Sequence, residues 1–300
     1  ENTTNDHANP HDLNEHSFLL YAMVDVSAHR SFIAPMKIAH LTDLHITKLP
    51  PSLSGLFDRR LSGSINLRFL GRGERYRHAA ERGRFAVQQI INEAPDAVVF
   101  GGDATSLSEP EEFAIAADVL APLLRLGVPC IALAGNHDRY TTKAQREKRF
   151  ERAFSDWQLV GGKWEQIEIA GHSIAFVDTA QANRMIWDSR GKRLDPPSRP
   201  PRYVFAHYAV IDHRAEPDRK WHALRSEHTL RTILRDGPGT TWCCGHLHRS
   251  FAARAGGLIQ FCAGSVGGPK GHWQMLEFIN GEFRRRAWNK DGGGRLSKLR

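Results

Sequence analysis

The segment CIALAGNHDRY, residues 130–140, changes character abruptly near its middle. Its first five residues are apolar and typical of a buried strand, and Gly135 then leads directly into Asn136, His137 and Asp138. Gly and Asn are common turn residues, so an ordinary turn is one interpretation. The other interpretation is an active site at the end of a strand, and the rest of the sequence has to decide between them.

Six further apolar runs have the β-rich, nearly continuous character expected of strands that are covered on both faces. Longer segments with helical spacing lie between several of them, and one such helix is predicted to begin with Ser108 and Glu111 in capping-box spacing. This alternation predicts an α/β protein with crossover helices. The six runs are KIAHLTD, DAVVFGGD, SIAFVDT, YVFAH, TWCCGH and LIQFCAG.

Polar side chains follow five of the seven runs. Asp43 and His45 come two residues apart after the first run, and His246 and His248 repeat that spacing after a later one. Residues two apart on an extended strand point the same way, so each pair can share one target. The other members of this set are Asp103 after two glycines, Asn136 and His137 in the segment quoted above, and His207 after an apolar run.

Each of these residues alone has an ordinary explanation. An Asp after Gly-Gly is usually a turn residue, and an isolated His is usually a hydrogen-bonded core residue. Together, however, the eight side chains emerge where several strands end, which is where open α/β sheets place their sites. Their joint occurrence therefore favours a functional site.

The chemistry of the set favours metal ions. Carboxylates, imidazoles and one amide, with no cysteine among them, suit Mn, Fe or Zn better than a structural zinc held by thiolates. Seven such ligands exceed what one ion needs, whereas two ions about 3.5–4 Å apart, bridged by a carboxylate, would use them all. Such a pair activates a water molecule and binds a phosphoryl oxygen, and a neighbouring imidazole can protonate the leaving oxygen.

The order of these motifs resembles the calcineurin-like metallophosphoesterase superfamily, and its general pattern is similar to the class III cyclic-nucleotide phosphodiesterase branch. The matching motifs are DLH at 43–45, GGD at 101–103, GNHD at 135–138, His207 and GHLH at 245–248. The resemblance implies a four-layer α/β/β/α sandwich with its metal site at the carboxyl ends of the strands. It is highly specific for the superfamily and weakly specific for the substrate.

The resemblance also implies a role for each residue of the set. His137 would be the acid for the leaving group or a transition-state stabiliser, and Asp138 would orient it. After His207 the chain has YAV, where many relatives have a second His and a Pro, so the wall on the substrate side is expected to differ. The implied metal ligands are Asp43, His45 and His248 for the first ion, Asn136, His207 and His246 for the second, and Asp103 bridging both.

The two ends of the chain and one internal segment predict less regular structure. Residues 1–35 are polar and irregular and predict a leader or disordered segment, and residues 289–300 predict a disordered basic tail. The domain is predicted over 36–288. Within it, residues 50–78 interleave apolar residues with arginines, which favours a lid whose arginine stems cover apolar surface. An amphipathic element that touches an anionic membrane or an acyl substrate is the alternative.

Composition limits the remaining choices. The 41 Lys and Arg exceed the 33 Asp and Glu by eight, and this excess attracts polyanions without selecting one. No apolar run approaches the roughly 18 residues that span a bilayer, so a cytoplasmic protein, with peripheral membrane contact as an option, is expected. The four cysteines lie in or beside apolar runs, which predicts buried, reduced thiols.

These observations predict a dinuclear-metal phosphodiesterase that acts on a nucleotide or a related phosphodiester. Hydrolysis of a nucleotide-linked lipid such as UDP-diacylglucosamine at its pyrophosphate, and simple phosphomonoesterase activity, stay open because the metal motifs do not separate them. A nuclease or nucleic-acid binder is disfavoured, since no interleaved aromatic residues form a stacking platform, and no specific nucleic-acid binding is expected. A non-catalytic scaffold is disfavoured because the ligand set is complete.

Overall fold

Two mixed β-sheets form the frame of the described chain. The structure is a computed structural model that describes residues 36–48, 63, 65, 71–182, 188–279, 282–292 and 294–296. The predicted leader at 1–35 and most of the predicted lid at 50–78 lie outside these residues, so both stay predictions. None of the helices described is both long enough and apolar enough to cross a membrane.

The strands are named in chain order. They are β1 (Met36–Leu41), β2 (Ala97–Phe100), β3 (Cys130–Ala132), β4 (Gln158–Leu159), β5 (Glu165–Ile169), β6 (His172–Val177), β7 (Tyr203–Ala206), β8 (Thr240–Cys244), β9 (Phe251–Ala255), β10 (Leu258–Cys262), β11 (Trp273–Ile279), β12 (Glu282–Trp288) and β13 (Arg295–Leu296). Each of the seven apolar runs overlaps one of these strands, with strand starts that agree within one residue.

The helices are named in the same way. They are α1 (Arg72–Tyr76), α2 (Ala79–Glu93), α3 (Pro110–Leu124), α4 (Thr142–Arg146), α5 (Arg149–Ala153) and α6 (Glu227–Asp236).

Both sheets have a parallel centre and antiparallel edges. The first has the order β13-β12-β11-β1-β2-β3-β4, in which β1 to β4 are parallel and β11 to β13 pair antiparallel. The second has the order β5-β6-β7-β8-β10-β9, in which β6, β7, β8 and β10 are parallel. The parallel strands bring the five polar loops, which follow β1, β2, β3, β7 and β8, to the same edge of the fold.

Three apolar clusters separate four layers, which confirms the predicted α/β/β/α sandwich. One cluster packs α2, α3 and α5 on the outer face of the first sheet. A second fills the space between the two sheets, and a third packs α6 on the outer face of the second sheet. Strand β2 shows why its run is continuously apolar: Val98 and Phe100 face the helices, whereas Ala97 and Val99 face the other sheet.

The start of α3 differs from the prediction by one residue. Glu109 is the N-cap, and its side chain and that of Glu112 form the capping box, because Pro110 takes the first helical position. Ser108 has a left-handed φ of 60°, and its hydroxyl donates to the carbonyl oxygen of His137 at 2.6 Å. The residue predicted to cap the helix therefore supports the loop that carries the polar site.

The carboxyl-terminal part also differs from the predicted tail at 289–300. Strand β13 pairs antiparallel with β12, with Arg286 opposite Leu296. Such pairing uses backbone groups and does not require an apolar run, and Gly292, with φ of 91°, helps the chain reverse direction. The four cysteines are buried and free, as predicted.

Candidate metal centre

The ends of β1, β2, β3, β7 and β8 meet at one edge of the sandwich. Within the first sheet, the backbone N–H of Asp43 donates to Gly102 O at 2.8 Å, and that of His45 donates to Asp103 O at 2.9 Å. Between the sheets, the N–H of His246 donates to Asp43 Oδ2 at 3.0 Å. These bonds hold loops that are far apart in sequence in one fixed arrangement.

Five of the predicted ligands have left-handed backbone. The φ values are 58° for Asp43, 53° for His45, 56° for Asp103, 66° for His246 and 52° for His248. The pairs 43/45 and 246/248 therefore do not converge by strand alternation, as the sequence suggested, because β1 and β8 have already ended. For a residue other than glycine this conformation costs on the order of 1–2 kcal/mol.

Two glycines allow the carboxylates to approach the backbone. A Cβ atom on Gly135 would collide with Asp103 Oδ1, and one on Gly245 would collide with Asp43 Oδ2. Only glycine leaves room for these oxygens. The glycines of GNHD and GHLH therefore serve the site and not merely a turn.

Four residues form the first group of candidate ligands. Asp43, His45, Asp103 and His248 each offer one ligand atom, and these atoms lie within 4.8 Å of one another. The Nε2 atoms of His45 and His248 are 2.8 Å apart, and His248 Nε2 is 3.0 Å from Asp43 Oδ1. Asp43 Oδ1 and Asp103 Oδ2 are buried and lack a hydrogen bond of adequate geometry within the described part of the chain. Such orphaned carboxylate oxygens beside converging imidazoles fit a cation.

Polar contacts at the Nδ1 atoms orient the two imidazoles of this group. His45 Nδ1 lies 3.2 Å from Thr105 O and 3.3 Å from Arg72 Nη2, and the carbonyl oxygen is satisfied by the tautomer that carries its proton on Nδ1. His248 Nδ1 lies 3.0 Å from the hydroxyl of Tyr76. Both Nε2 atoms are therefore directed at the shared centre, the arrangement that metal-binding histidines need.

The second group lies around Asn136. Its Oδ1 is 2.9 Å from His246 Nδ1 and 3.2 Å from His207 Nε2, and His207 Nε2 is 3.4 Å from Asp103 Oδ2. Carbonyl oxygens again fix the far nitrogens, since His207 Nδ1 donates to Gly101 O at 2.7 Å and His246 Nε2 donates to His222 O at 3.0 Å. The structure thus brings all seven predicted ligands together, with Asp103 between the two groups.

The electrostatics of the cluster favour a positive charge. Burial opposes protonation of His207, yet the Asp103 carboxylate raises the pKa of His207 to about 10. Burial would raise the pKa of Asp103, but His207 and His137 hold it below its usual range. Burial, followed by Arg72, lowers the pKa of His45 to about 4. The buried carboxylates thus attract positive charge, which bound metal ions would supply.

His137 lies beside this cluster, and its partners differ from those expected. Its Nδ1 donates to Ser106 O at 2.7 Å, and its ring stacks on Tyr140 with centroids 5.1 Å apart. The Asp138 carboxylate instead accepts the backbone N–H groups of Asp103 at 2.7 Å and Gly135 at 2.8 Å. The implied role of Asp138 as the orienting partner of the His137 ring is therefore corrected: the buried carboxylate satisfies loop backbone, while a carbonyl oxygen orients the ring.

Burial and the neighbouring Asp103 charge raise the pKa of Asp138 to about 7, although its backbone hydrogen bonds act in the opposite direction. A positive charge bound at Asp103 would reduce the repulsion between these two carboxylates. The ionisation of Asp138 and the occupancy of the site are therefore linked.

Several residues at the site had not been predicted. Arg72 Nη2 lies 3.0 Å from His137 Nε2, and Tyr76 supports His248. Asp218 Oδ2 lies 2.6 Å from His222 Nδ1, and the His222 ring stacks on that of His246 with centroids 3.9 Å apart. Asp218, His222 and His246 also offer ligand atoms within 4.8 Å of one another. No motif marks these residues, although the arginine-rich composition of 59–84 was a weak signal for Arg72.

The sequence is similar to a known protein family and to a phosphodiesterase. The family model described as calcineurin-like phosphoesterase matches residues 36–250. Phosphodiesterase YaeI of Escherichia coli K12 is 27% identical over 229 residues, which cover 72% of this chain and 61% of that protein. The matched region thus spans less than two thirds of that relative.

A solved structure shows a similar fold. The crystal structure of a dimetal phosphatase from Danio rerio has a TM-score of 0.55 and 13% sequence identity, and the match covers 87% of this chain and 98% of that one. At this identity the similarity concerns the arrangement of the sheets and helices.

Proposed function

Because the chain belongs to the calcineurin-like phosphoesterase family, we propose that it is a metal-dependent hydrolase of phosphodiesters. The observation that carries this proposal is the pair of buried, orphaned oxygens, Asp43 Oδ1 and Asp103 Oδ2, within a cluster of imidazoles. The similarity to a protein named a phosphodiesterase supports a diester in preference to a monoester.

The donor set fits two metal ions of the Mn, Fe or Zn type. When bound, such ions supply an activated water molecule and positive charge for the phosphoryl oxygens. In this proposal the ligands are Asp43, His45 and His248 for one ion, Asn136, His207 and His246 for the other, and Asp103 for both.

The surrounding residues orient these ligands before any ion arrives. One ring nitrogen of each of three histidines can donate a hydrogen bond to a backbone carbonyl oxygen, which leaves the other nitrogen to coordinate a metal ion. The pairs are His45 with Thr105 O, His207 with Gly101 O and His246 with His222 O. The Thr42 hydroxyl donates to Asp43 Oδ2 at 2.7 Å, which leaves Oδ1 directed at the cluster. Little rearrangement is therefore needed for binding, and the ligands enter the reaction preorganised.

His137 is proposed as the group that delivers a proton to the leaving oxygen. Its Nδ1–H is donated to Ser106 O, so Nε2 is the atom that faces the reacting centre. Burial and Arg72 hold the pKa of His137 well below its usual value. The negative charge of a bound phosphoryl group counteracts the effect of Arg72 and favours a proton on Nε2.

Replacing His137 with Ala should leave the metal content unchanged. It should slow hydrolysis most for substrates whose leaving oxygen must be protonated. With diphenyl phosphate, whose leaving group is poor, we expect kcat to fall by about 100-fold or more. With bis-p-nitrophenyl phosphate, whose leaving group departs as an anion, the loss should be below about 10-fold. Steady-state kinetics on both substrates, with metal content measured by elemental analysis, test this expectation.

His78→Ala is the matched control, because the His78 side chain is 51% exposed and pairs with Glu81 at the surface. It should affect neither substrate. Loss of metal from His137→Ala, or equal losses of rate on both substrates, would show that His137 is not the proton donor.

The proposed function itself is tested by stripping the protein of metal, restoring Mn²⁺ and comparing bis-p-nitrophenyl phosphate with p-nitrophenyl phosphate. We expect metal-dependent hydrolysis with the higher kcat/KM on the diester. Faster hydrolysis of the monoester would instead indicate a phosphomonoesterase. Inactivity on both substrates, with two metal ions bound per chain, would contradict the proposal.

A further inference from the structure

Arg72 places a guanidinium group among the candidate metal ligands. Its Nη2 lies 3.0 Å from His137 Nε2 and 3.3 Å from His45 Nδ1, and its Cζ lies 5.8 Å from the centre of the Tyr76 ring. Arg72 is the first residue of α1, four residues before the Tyr76 that supports His248. The short helix α1 therefore supplies both the hydroxyl that contacts His248 and the guanidinium that lies beside His137.

Most of the hydrogen-bonding capacity of this guanidinium is unused within the described chain. Because His137 Nδ1 donates to Ser106 O, His137 Nε2 can accept one N–H from Arg72. The Nε atom of Arg72 is buried and has no hydrogen-bond partner among the described residues. A guanidinium has five N–H donors in a planar fork, so an acceptor with several oxygens would satisfy it better than one imidazole does.

Arg139 shows how a structural arginine is satisfied in the same fold. Its guanidinium pairs with Asp178 at 2.8 Å and Glu151 at 3.2 Å, and it also donates to Ala180 O at 3.2 Å. Arg72 has no comparable carboxylate partner among the described residues. Arg72 is partly buried and Arg139 is almost fully buried. Of these two, only Arg139 has carboxylate partners in the described part of the protein.

The charge of Arg72 becomes still less favourable when the site holds metal ions. A partly buried cation is stabilised by a nearby anion, and metal ions bound to Asp43 and Asp103 would add positive charge close to the guanidinium. A phosphoryl group supplies both a negative charge and two non-bridging oxygens, the geometry that an arginine fork binds best. A phosphoryl group would thus supply the anionic partner that Arg72 lacks among the described residues.

We propose that Arg72 is a phosphoryl-binding residue of this site, whose guanidinium donates to non-bridging oxygens of the substrate beside the metal centre. This inference rests on the proposed function, since it concerns the substrate of the same site. Arg72 fixes the phosphoryl group next to His137 and neutralises part of its charge. It is a point of contact with the ester group common to all candidate substrates, and it does not select among them.

Binding of inorganic phosphate to the Mn²⁺-reconstituted protein, measured by isothermal titration calorimetry, tests this role without relying on turnover. Arg72→Ala should weaken phosphate binding by about 10- to 100-fold, because charge-assisted hydrogen bonds are lost. Arg72→Lys retains the charge without the fork and should recover part of the affinity. Arg75→Ala, on the same helix with an exposed side chain, should bind phosphate within about twofold of the unchanged protein.

Elemental analysis should find the same metal content in all four proteins. Equal phosphate affinity in Arg72→Ala and the unchanged protein would overturn the inference, as would absence of phosphate binding by the unchanged protein. Loss of metal on Arg72→Ala would also overturn it, because Arg72 would then support the ligands and not the phosphoryl group. If the unchanged protein hydrolyses no phosphodiester, the proposed function fails, whereas the phosphate titration still decides the role of Arg72.

Discussion

Replacing Asp103 with Asn is expected to abolish hydrolysis, with a fall in kcat of at least about 10³-fold, because the residue proposed to serve both metal ions loses its charge. The backbone should tolerate the change. Asn retains an oxygen to accept the N–H of His137, which Asp103 Oδ1 now accepts at 2.7 Å. Its amide group, however, would direct donors towards the Nε2 atoms of His45 and His207, which lie 3.6 Å and 3.4 Å from Asp103 Oδ2.

The decisive measurements are metal content and thermal stability with and without Mn²⁺. The unchanged protein should bind two ions and gain stability from Mn²⁺, whereas Asp103→Asn should bind fewer ions and gain less. Asp118→Asn is the control, since the Asp118 side chain is 71% exposed and pairs with Arg84 at the surface. A variant at Asp103 that kept two tightly bound ions and normal turnover would disprove the bridging role.

Replacing Asp138 with Ala is expected to cause a large loss of stability as well as of activity. The buried Asp138 carboxylate accepts the backbone N–H groups of Asp103, Gly135 and Thr105 at 2.7, 2.8 and 3.2 Å. Alanine would leave these donors without their partner, so the free energy of unfolding should fall by about 3–6 kcal/mol. Asp138→Asn keeps one oxygen and should lose less.

Urea unfolding in the presence of EDTA measures this effect separately from metal binding. Asp156→Ala, at an exposed position, should change the free energy of unfolding by less than about 0.5 kcal/mol. The opposite result is equally informative. If Asp138→Ala kept its stability and lost only the turnover of substrates with poor leaving groups, the role implied by sequence resemblance, orientation of His137, would be correct after all.

The strands and the seven candidate ligands were predictable because both depend on local patterns, whereas the four-layer arrangement was implied by the family resemblance. A continuous apolar run predicts a strand covered on both faces, and a polar residue directly after such a run comes to the common edge of a parallel sheet. The left-handed backbone at Asp43 and His246 was not predictable, since it depends on hydrogen bonds to loops distant in sequence. Asp43 and His45 do converge on one centre, although not by strand alternation, whereas His246 and His248 lie in different groups of candidate ligands.

The supporting residues could not be recognised from the sequence for a different reason. Arg72 stands in an arginine-rich stretch whose members are usually solvated, and only the packing of α1 beside His137 distinguishes it from Arg75. The family resemblance implied that Asp138 orients the His137 ring. The fold instead directs its carboxylate to the backbone of two loops, because buried N–H groups there need an acceptor.

The left-handed backbone at Asp43, His45, Asp103, His246 and His248 carries a steric cost at five of the seven candidate ligands. Glycine adopts this conformation without the steric penalty that a side chain incurs, but glycine at Asp43 or Asp103 would leave the Thr42 hydroxyl or the His137 N–H without its buried acceptor. This chain has a metal-binding residue type at every one of them. Each of these positions therefore combines an unfavourable backbone conformation with a side chain that the proposed centre needs.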